Sequence, residues 1–95
     1  MEFDRTLLTD NYLIAVVTCI EKHGYTVEDF EFSTQRTQGY KKGILDPKDV
    51  VYASRISSGI EKSYVLGENE DFSKQFCSDL DSGFFEKDIV PNLFD

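Results

Sequence analysis

Few residues in this chain are of the types that do chemistry. There is one histidine, His23, and there are two cysteines, Cys19 and Cys77. Acyl transfer needs a nucleophile, a base and a group that orients the base. A single histidine with no flanking Ser or Cys motif does not supply that set. Two cysteines make neither a disulfide framework nor a metal quartet. They read as two reduced thiols packed against helices, the usual fate of free cysteine in a cytoplasmic protein.

Two short segments resemble ligand loops and fail on spacing. Asp79, Asp81 and Gly83 are placed like the start of a calcium loop. Its fifth position, however, is Gly83 where an oxygen ligand belongs, its sixth is Phe84 in place of glycine, and its twelfth is Val90 in place of glutamate. Residues 39–43, Gly-Tyr-Lys-Lys-Gly, lack the phosphate-loop spacing and the following Ser or Thr. They read as a flexible loop in which Lys41 and Lys42 can meet an acidic partner. Carboxylate pairs carry little weight in a chain with 18 acidic residues. The expectation is a non-catalytic protein with no cofactor and no bound metal.

The elements that would position these residues are legible from periodicity. Leu13, Val16, Val17 and Ile20 recur at helical spacing, predicting a helix over residues 6–23 with Gly24 as its left-handed cap and Tyr25 as the apolar contact behind it. His23 then sits in the last turn, where the helix dipole favours a positive charge. From residue 30 the period changes to two, with Phe30 and Phe32 inward on a strand. Residues 49–66 read as a hairpin around a three-residue loop, Ser57, Ser58 and Gly59. In that register Ile56 faces Ile60, Arg55 faces Glu61, Tyr52 faces Tyr64 and Val51 faces Val65. It would place Val50, Tyr52, Ile56, Ile60, Tyr64 and Leu66 on one face. Asn69 or Asp71 caps a second helix ending near Ser82, with Phe72, Phe76 and Leu80 as its apolar stripe and Gly83 as its C-terminal cap.

This predicts a single α+β domain: an α-β-β-β-α two-layer sandwich, with two helices on one face of a three-stranded antiparallel sheet. The core spans about residues 6–83 and an apolar tail spans 84–95. The tail holds Phe84, Phe85, Ile89, Leu93 and Phe94, and so must dock on its own domain or on a partner. The element order resembles that of double-stranded-RNA-binding domains across residues 6–83. That family sets a lysine cluster at the start of its second helix. Here the same place reads Glu68, Asn69, Glu70 and Asp71, so the resemblance carries no RNA-binding residue into this chain.

The charge map says more. The chain has 95 residues, 18 acidic and 10 basic, for a net charge of −8. Residues 1–32 carry −5, residues 33–67 carry +3 and residues 68–95 carry −6. Such acidity disfavours direct contact with nucleic acid or an anionic membrane. The longest aliphatic run, residues 13–17, is far short of the roughly twenty residues a membrane span needs. The start of the chain is acidic where a secretory signal is basic.

The expectation is a small acidic cytoplasmic protein-interaction module. Its candidate partner surface is Glu68, Glu70, Asp71, Asp79 and Asp81, facing a protein with a basic surface, and a homodimer through the tail or an edge strand is compatible with it. The alternative is a phage- or mobile-element-type inhibitor of a nucleic-acid-handling machine, anti-CRISPR-like or a DNA mimic, whose carboxylates imitate phosphates.

Overall fold

A computed structural model describes residues 1–67 and 71–86. In chain order the elements are β1 (Glu2–Phe3), α1 (Asp10–Lys22), a 3-10 turn (Val27–Asp29), β2 (Phe30–Thr37), β3 (Tyr40–Lys41), β4 (Ile44–Leu45), β5 (Lys48–Arg55), β6 (Ile60–Val65) and α2 (Phe72–Asp81). The class is α+β, as expected. The sheet differs from the expected three strands. Four strands run in the order β1-β2-β5-β6, and β3 and β4 form a separate two-stranded ribbon.

The helices form and stop for the reasons their sequences suggest. Gly24 has φ +80°, and the Tyr25 N–H reaches back to the Ile20 carbonyl while the Gly24 N–H reaches Glu21. These are the two bonds of a left-handed helix stop. Gly83, φ +83°, ends α2 in the same way, with the Phe84 N–H on the Asp79 carbonyl. At the other end of α2 the Asp71 carboxylate accepts the Ser73 N–H, satisfying one of the orphan donors of the first turn.

Val16 and Ile20 of α1 and Phe72, Phe76 and Leu80 of α2 pack on the same face of the sheet, against Phe30, Phe32, Val51, Ala53 and Tyr64. The centre is aromatic. Phe76 meets Phe32, Phe30 and Phe85 at ring-centroid distances of 5.1, 5.8 and 5.5 Å, mostly edge to face.

Two expectations are corrected. The β5–β6 hairpin pairs Arg55 with Ile60, Ser54 with Glu61, Tyr52 with Ser63 and Val51 with Tyr64, which leaves a four-residue loop, residues 56–59. A one-residue slip turns a strand over. Val51 and Ala53 therefore point into the core, and Tyr52 points to the open face. The cause is a partner remote in sequence. The Asp29 carboxylate accepts the Ser57 N–H (2.9 Å) and hydroxyl (2.6 Å), and the Asp29 carbonyl accepts the Ile56 N–H (2.7 Å).

The cysteines are not free thiols either. Cys19 of α1 and Cys77 of α2 are joined as a disulfide across a Cα–Cα distance of 5.7 Å. Both helices lie over one sheet face with their half-buried cysteines at the seam. Folding therefore brings together two thiols that are 58 residues apart. The added strand, β1, runs parallel to β2, with Glu2 beside Glu31 and Phe3 beside Phe32. The Phe3 ring meets Phe32 edge-on at 5.5 Å, and the Asp4 N–H carries the pairing on to the Phe32 carbonyl.

Candidate functional site

Residues 39–43 are not the flexible loop expected from their glycines but part of a two-stranded ribbon. Lys42 and Gly43 have φ +54° and +79°, the signature of a two-residue turn whose twist matches a hairpin. The turn pairs Lys41 with Ile44 and Tyr40 with Leu45. Gly39 is where this ribbon meets the long β2–β5 pair. A Cβ there would come within 3.1 Å of the Asp46 carbonyl oxygen, so the close approach selects glycine.

The ribbon is held in line by cross-strand bonds just below it. The Arg36 guanidinium grips the Asp49 carboxylate with two bonds, 2.8 and 3.0 Å. The Thr37 hydroxyl donates to the Lys48 carbonyl. The Arg36 bonds hold the Asp49 carboxyl below its usual range, and the Asp49 bond raises Arg36 in turn.

The tip puts unusual chemistry in water. Tyr40, Ile44 and Leu45 are 75, 70 and 51 % exposed. Cross-strand partners share a face, so Tyr40 and Leu45 lie on one side of the ribbon, and Lys41 and Ile44 on the other. Lys41 and Lys42 are exposed as well. They line a recess of about 410 Å³ with Ile44, Leu45, Asp46 and Lys48, and Lys48 is paired with Asp46 at 3.3 Å. Lys42 is the only non-glycine with positive φ among the described residues.

A second feature lies at the opposite end of the sheet, on the face the helices leave open. The register aligns Glu2, Glu31, Ser54 and Glu61 in one row across all four strands. Glu2, Glu31 and Glu61 are exposed. Glu61 accepts a bond from the Ser54 hydroxyl at 2.9 Å. These three and Asp4 line a recess of about 490 Å³ together with Phe3 and Phe32. Hydrogen bonds from the Thr34 hydroxyl and then from Thr6 hold the Asp4 carboxyl down at about 2.

Of the acidic residues nominated from sequence, Asp71, Asp79 and Asp81 lie among the described residues, and each has a partner within the fold. Asp71 is engaged as the α2 cap. Asp79 is engaged inside the fold, accepting the Tyr64 hydroxyl at 2.6 Å and pairing with Lys62 at 2.9 Å. Burial, with that bond second, pushes the Tyr64 phenol far above its ordinary range. Asp81 is exposed and lies 3.3 Å from His23 Nε2, while His23 Nδ1 meets the Cys19 carbonyl. The histidine thus works at a helix end, as expected, and also ties α1 to α2. Glu68 and Glu70 lie outside the described residues, as do Ile89, Leu93 and Phe94 of the tail.

The start of the tail packs on its own domain. Phe85 is fully buried among Phe30, Phe76 and Phe84. Its carbonyl accepts Arg55 Nη1 at 2.8 Å. Phe84 is partly exposed, with the Lys62 ammonium 5.0 Å above its ring.

Sequence reasoning noticed Lys41 and Lys42 but not Tyr40, Ile44 and Leu45. The available signal was the two-residue turn flanked by β-favouring side chains. The Glu2, Glu31 and Glu61 row needed the register and had no signal in sequence. Comparisons with protein-family models, curated proteins and solved structures gave no match to this chain.

Proposed function

We propose that this chain is a small non-catalytic interaction module that contacts a protein partner through the tip of the β3–β4 ribbon. The observation that carries the reading is the exposure of Tyr40, Ile44 and Leu45 together, within six residues, beside Lys41 and Lys42. Three large apolar side chains held out on a braced ribbon are unfavourable in water and favourable under a partner. Nothing in the sheet or helices requires them there. The lysines favour a partner whose contact surface is acidic.

The test is a comparison of two baits, the wild-type chain and the Tyr40→Ser/Ile44→Ser variant, in extract of the source cell at low and high salt. A protein retained by the first and lost by the second supports the reading. Identical retained sets refute it. Because both residues are exposed, the two baits are expected to melt within a few degrees of each other.

A second reading is favoured by one observation. The row Glu2, Glu31 and Glu61 spans four strands, roughly 15 Å at the spacing of neighbouring strands. Carboxylates in such a row can imitate duplex phosphates, as an inhibitor of a nucleic-acid-handling machine would. In that case Glu31→Lys, not the tip variant, abolishes binding to the basic target.

The cytoplasmic reading rested on reduced thiols and on an acidic chain start. A Cys19–Cys77 disulfide favours an oxidising compartment instead. No helix among the described residues is long and apolar enough to cross a membrane.

A further inference from the structure

We infer that the ribbon tip is occupied by a second copy of this chain: Lys41 and Lys42 dock onto the acidic recess around Glu2, Glu31 and Glu61 of the next molecule. This rests on reading the tip as an interaction surface, and it names the partner.

Charge complementarity carries the argument. In a chain of net charge −8, the tip holds two exposed lysines for which no carboxylate partner is found among the described residues. The recess at the other end of the sheet holds three exposed glutamates with no lysine or arginine partner among the described residues. Each end therefore presents the charge the other lacks. Glu2 beside Glu31 is a like-charge pair directly across two strands, which is unfavourable until a cation covers it.

Lys42 adds an independent reason. A turn of this type is satisfied best by asparagine, aspartate or glycine at its first central position. A long side chain at φ +54° is strained, and strain of this kind is retained where the side chain has work to do.

The two ends cannot meet within one molecule. Ten residues of extended chain separate Glu31 from Lys41, roughly 34 Å at strand rise, and the molecule is 49 Å along its longest axis. Tip and recess are different surfaces, so the contact is head to tail. It grows into open chains unless the rotation closes a ring. Salt acts in two ways. At physiological ionic strength a screening length of about 8 Å hides the repulsion between acidic bodies but leaves the close ion pairs. At about 1 M, where it is about 3 Å, the pairs weaken too.

The test uses the whole chain in sedimentation velocity, from low micromolar to several hundred micromolar, a range that reaches weak association. Wild type should associate with rising concentration at about 0.15 M salt and dissociate at about 1 M. The tip reversal Lys41→Glu/Lys42→Glu and the recess reversal Glu31→Lys/Glu61→Lys should each weaken self-association at least tenfold. An equimolar mixture of the two reversed variants should associate again, because the acidic tip of one meets the basic recess of the other. Thermal melts check that both are folded.

A wild type that stays monomeric throughout overturns the inference. So does association that either reversal leaves intact, or a mixture that fails to recover. If wild type is monomeric and the Tyr40→Ser/Ile44→Ser bait still loses a foreign protein, self-docking falls and the interaction reading stands. If the two baits also retain identical sets, both fall.

Discussion

Reducing the Cys19–Cys77 bond should cost this small domain a large share of its stability. The bond joins residues 58 apart, so in the unfolded chain it closes a loop holding the last turn of α1, β2 to β6 and the first half of α2. The chain-entropy treatment of a loop this long gives a stabilisation of about 4 kcal/mol at 25 °C. Domains of this size are stable by only about 5–15 kcal/mol in total. At the unfolding entropy typical of about 95 residues, a loss of about 4 kcal/mol lowers the melting temperature by roughly 20 °C. The assay is a thermal melt of the oxidised protein, of the reduced protein and of the Cys19→Ser/Cys77→Ser double variant, with thiols counted by alkylation and mass. The native oxidised protein should show no free thiol, and the reduced protein and the double variant should melt within a few degrees of each other. Two free thiols in protein prepared without reductant under air would refute the pairing. A melt unchanged by complete reduction would refute the loop-closure argument even if the bond exists.

Three further outcomes follow from named contacts. Phe76→Ala removes the ring at the centre of the aromatic cluster and should cost about 3–5 kcal/mol, read by urea unfolding with an unchanged m-value. Arg55→Met removes the guanidinium that bonds Asp29 at 3.0 Å and the Phe85 carbonyl at 2.8 Å and lies 4.9 Å over the Tyr25 ring. It should cost about 2 kcal/mol and speed chymotryptic cleavage at Phe84 and Phe85; cleavage at the wild-type rate would show that Arg55 does not hold the tail. Asp4, with its folded pKa lowered to about 2, stabilises the fold fully above its ordinary unfolded value near 4 and loses that contribution as pH falls through about 2. Asp4→Asn should therefore flatten the melting temperature against pH between about 4 and 2, and an unchanged slope would place acid sensitivity elsewhere.

What the sequence made legible was local. Helix stops at Gly24 and Gly83, the Asp71 cap, the Phe72, Phe76 and Leu80 stripe and the inward Phe30 and Phe32 each depend on residues within a turn or two of one another, and periodicity reports such neighbours. What it missed depended on remote partners. Like-with-like pairing favoured Arg55 opposite Glu61. In the fold Arg55 points inward because Asp29, 26 residues earlier, supplies a carboxylate there. Burial alone would raise that carboxyl, but bonds from Ser57 and Arg55 outweigh it and hold it below its usual range. The Cys19–Cys77 pairing depends on which residues of the two helices meet at their seam, and periodicity within each helix does not report that. A two-residue strand such as β1 has no period to detect, and it is fixed by Phe3 against Phe32. The candidate site divides in the same way. The lysines at the turn were readable, whereas the cross-strand glutamate row exists only in a register that the Asp29 anchor sets.

The placement of the cross-links bears on which part of the molecule meets others. Cys19–Cys77, His23 with Asp81, Tyr64 and Lys62 on Asp79, and Arg55 on Asp29 and the Phe85 carbonyl all tie helices, turn and tail to one another. Burying Phe85 commits to the chain's own domain apolar surface for which the sequence left both its own domain and a partner open. The ribbon, by contrast, is braced by the Arg36–Asp49 fork and the Thr37 bond, and its own side chains have no core to enter. A body tied this tightly has few low-cost ways to rearrange on binding, because rearrangement would break several bonds together. The proposed contacts need no such rearrangement, because the apolar and basic tip at one end of the sheet and the carboxylate row at the other are already presented. Among the described residues the exposed lysines Lys41 and Lys42 and the exposed glutamates Glu2, Glu31 and Glu61 lie at opposite ends of the sheet.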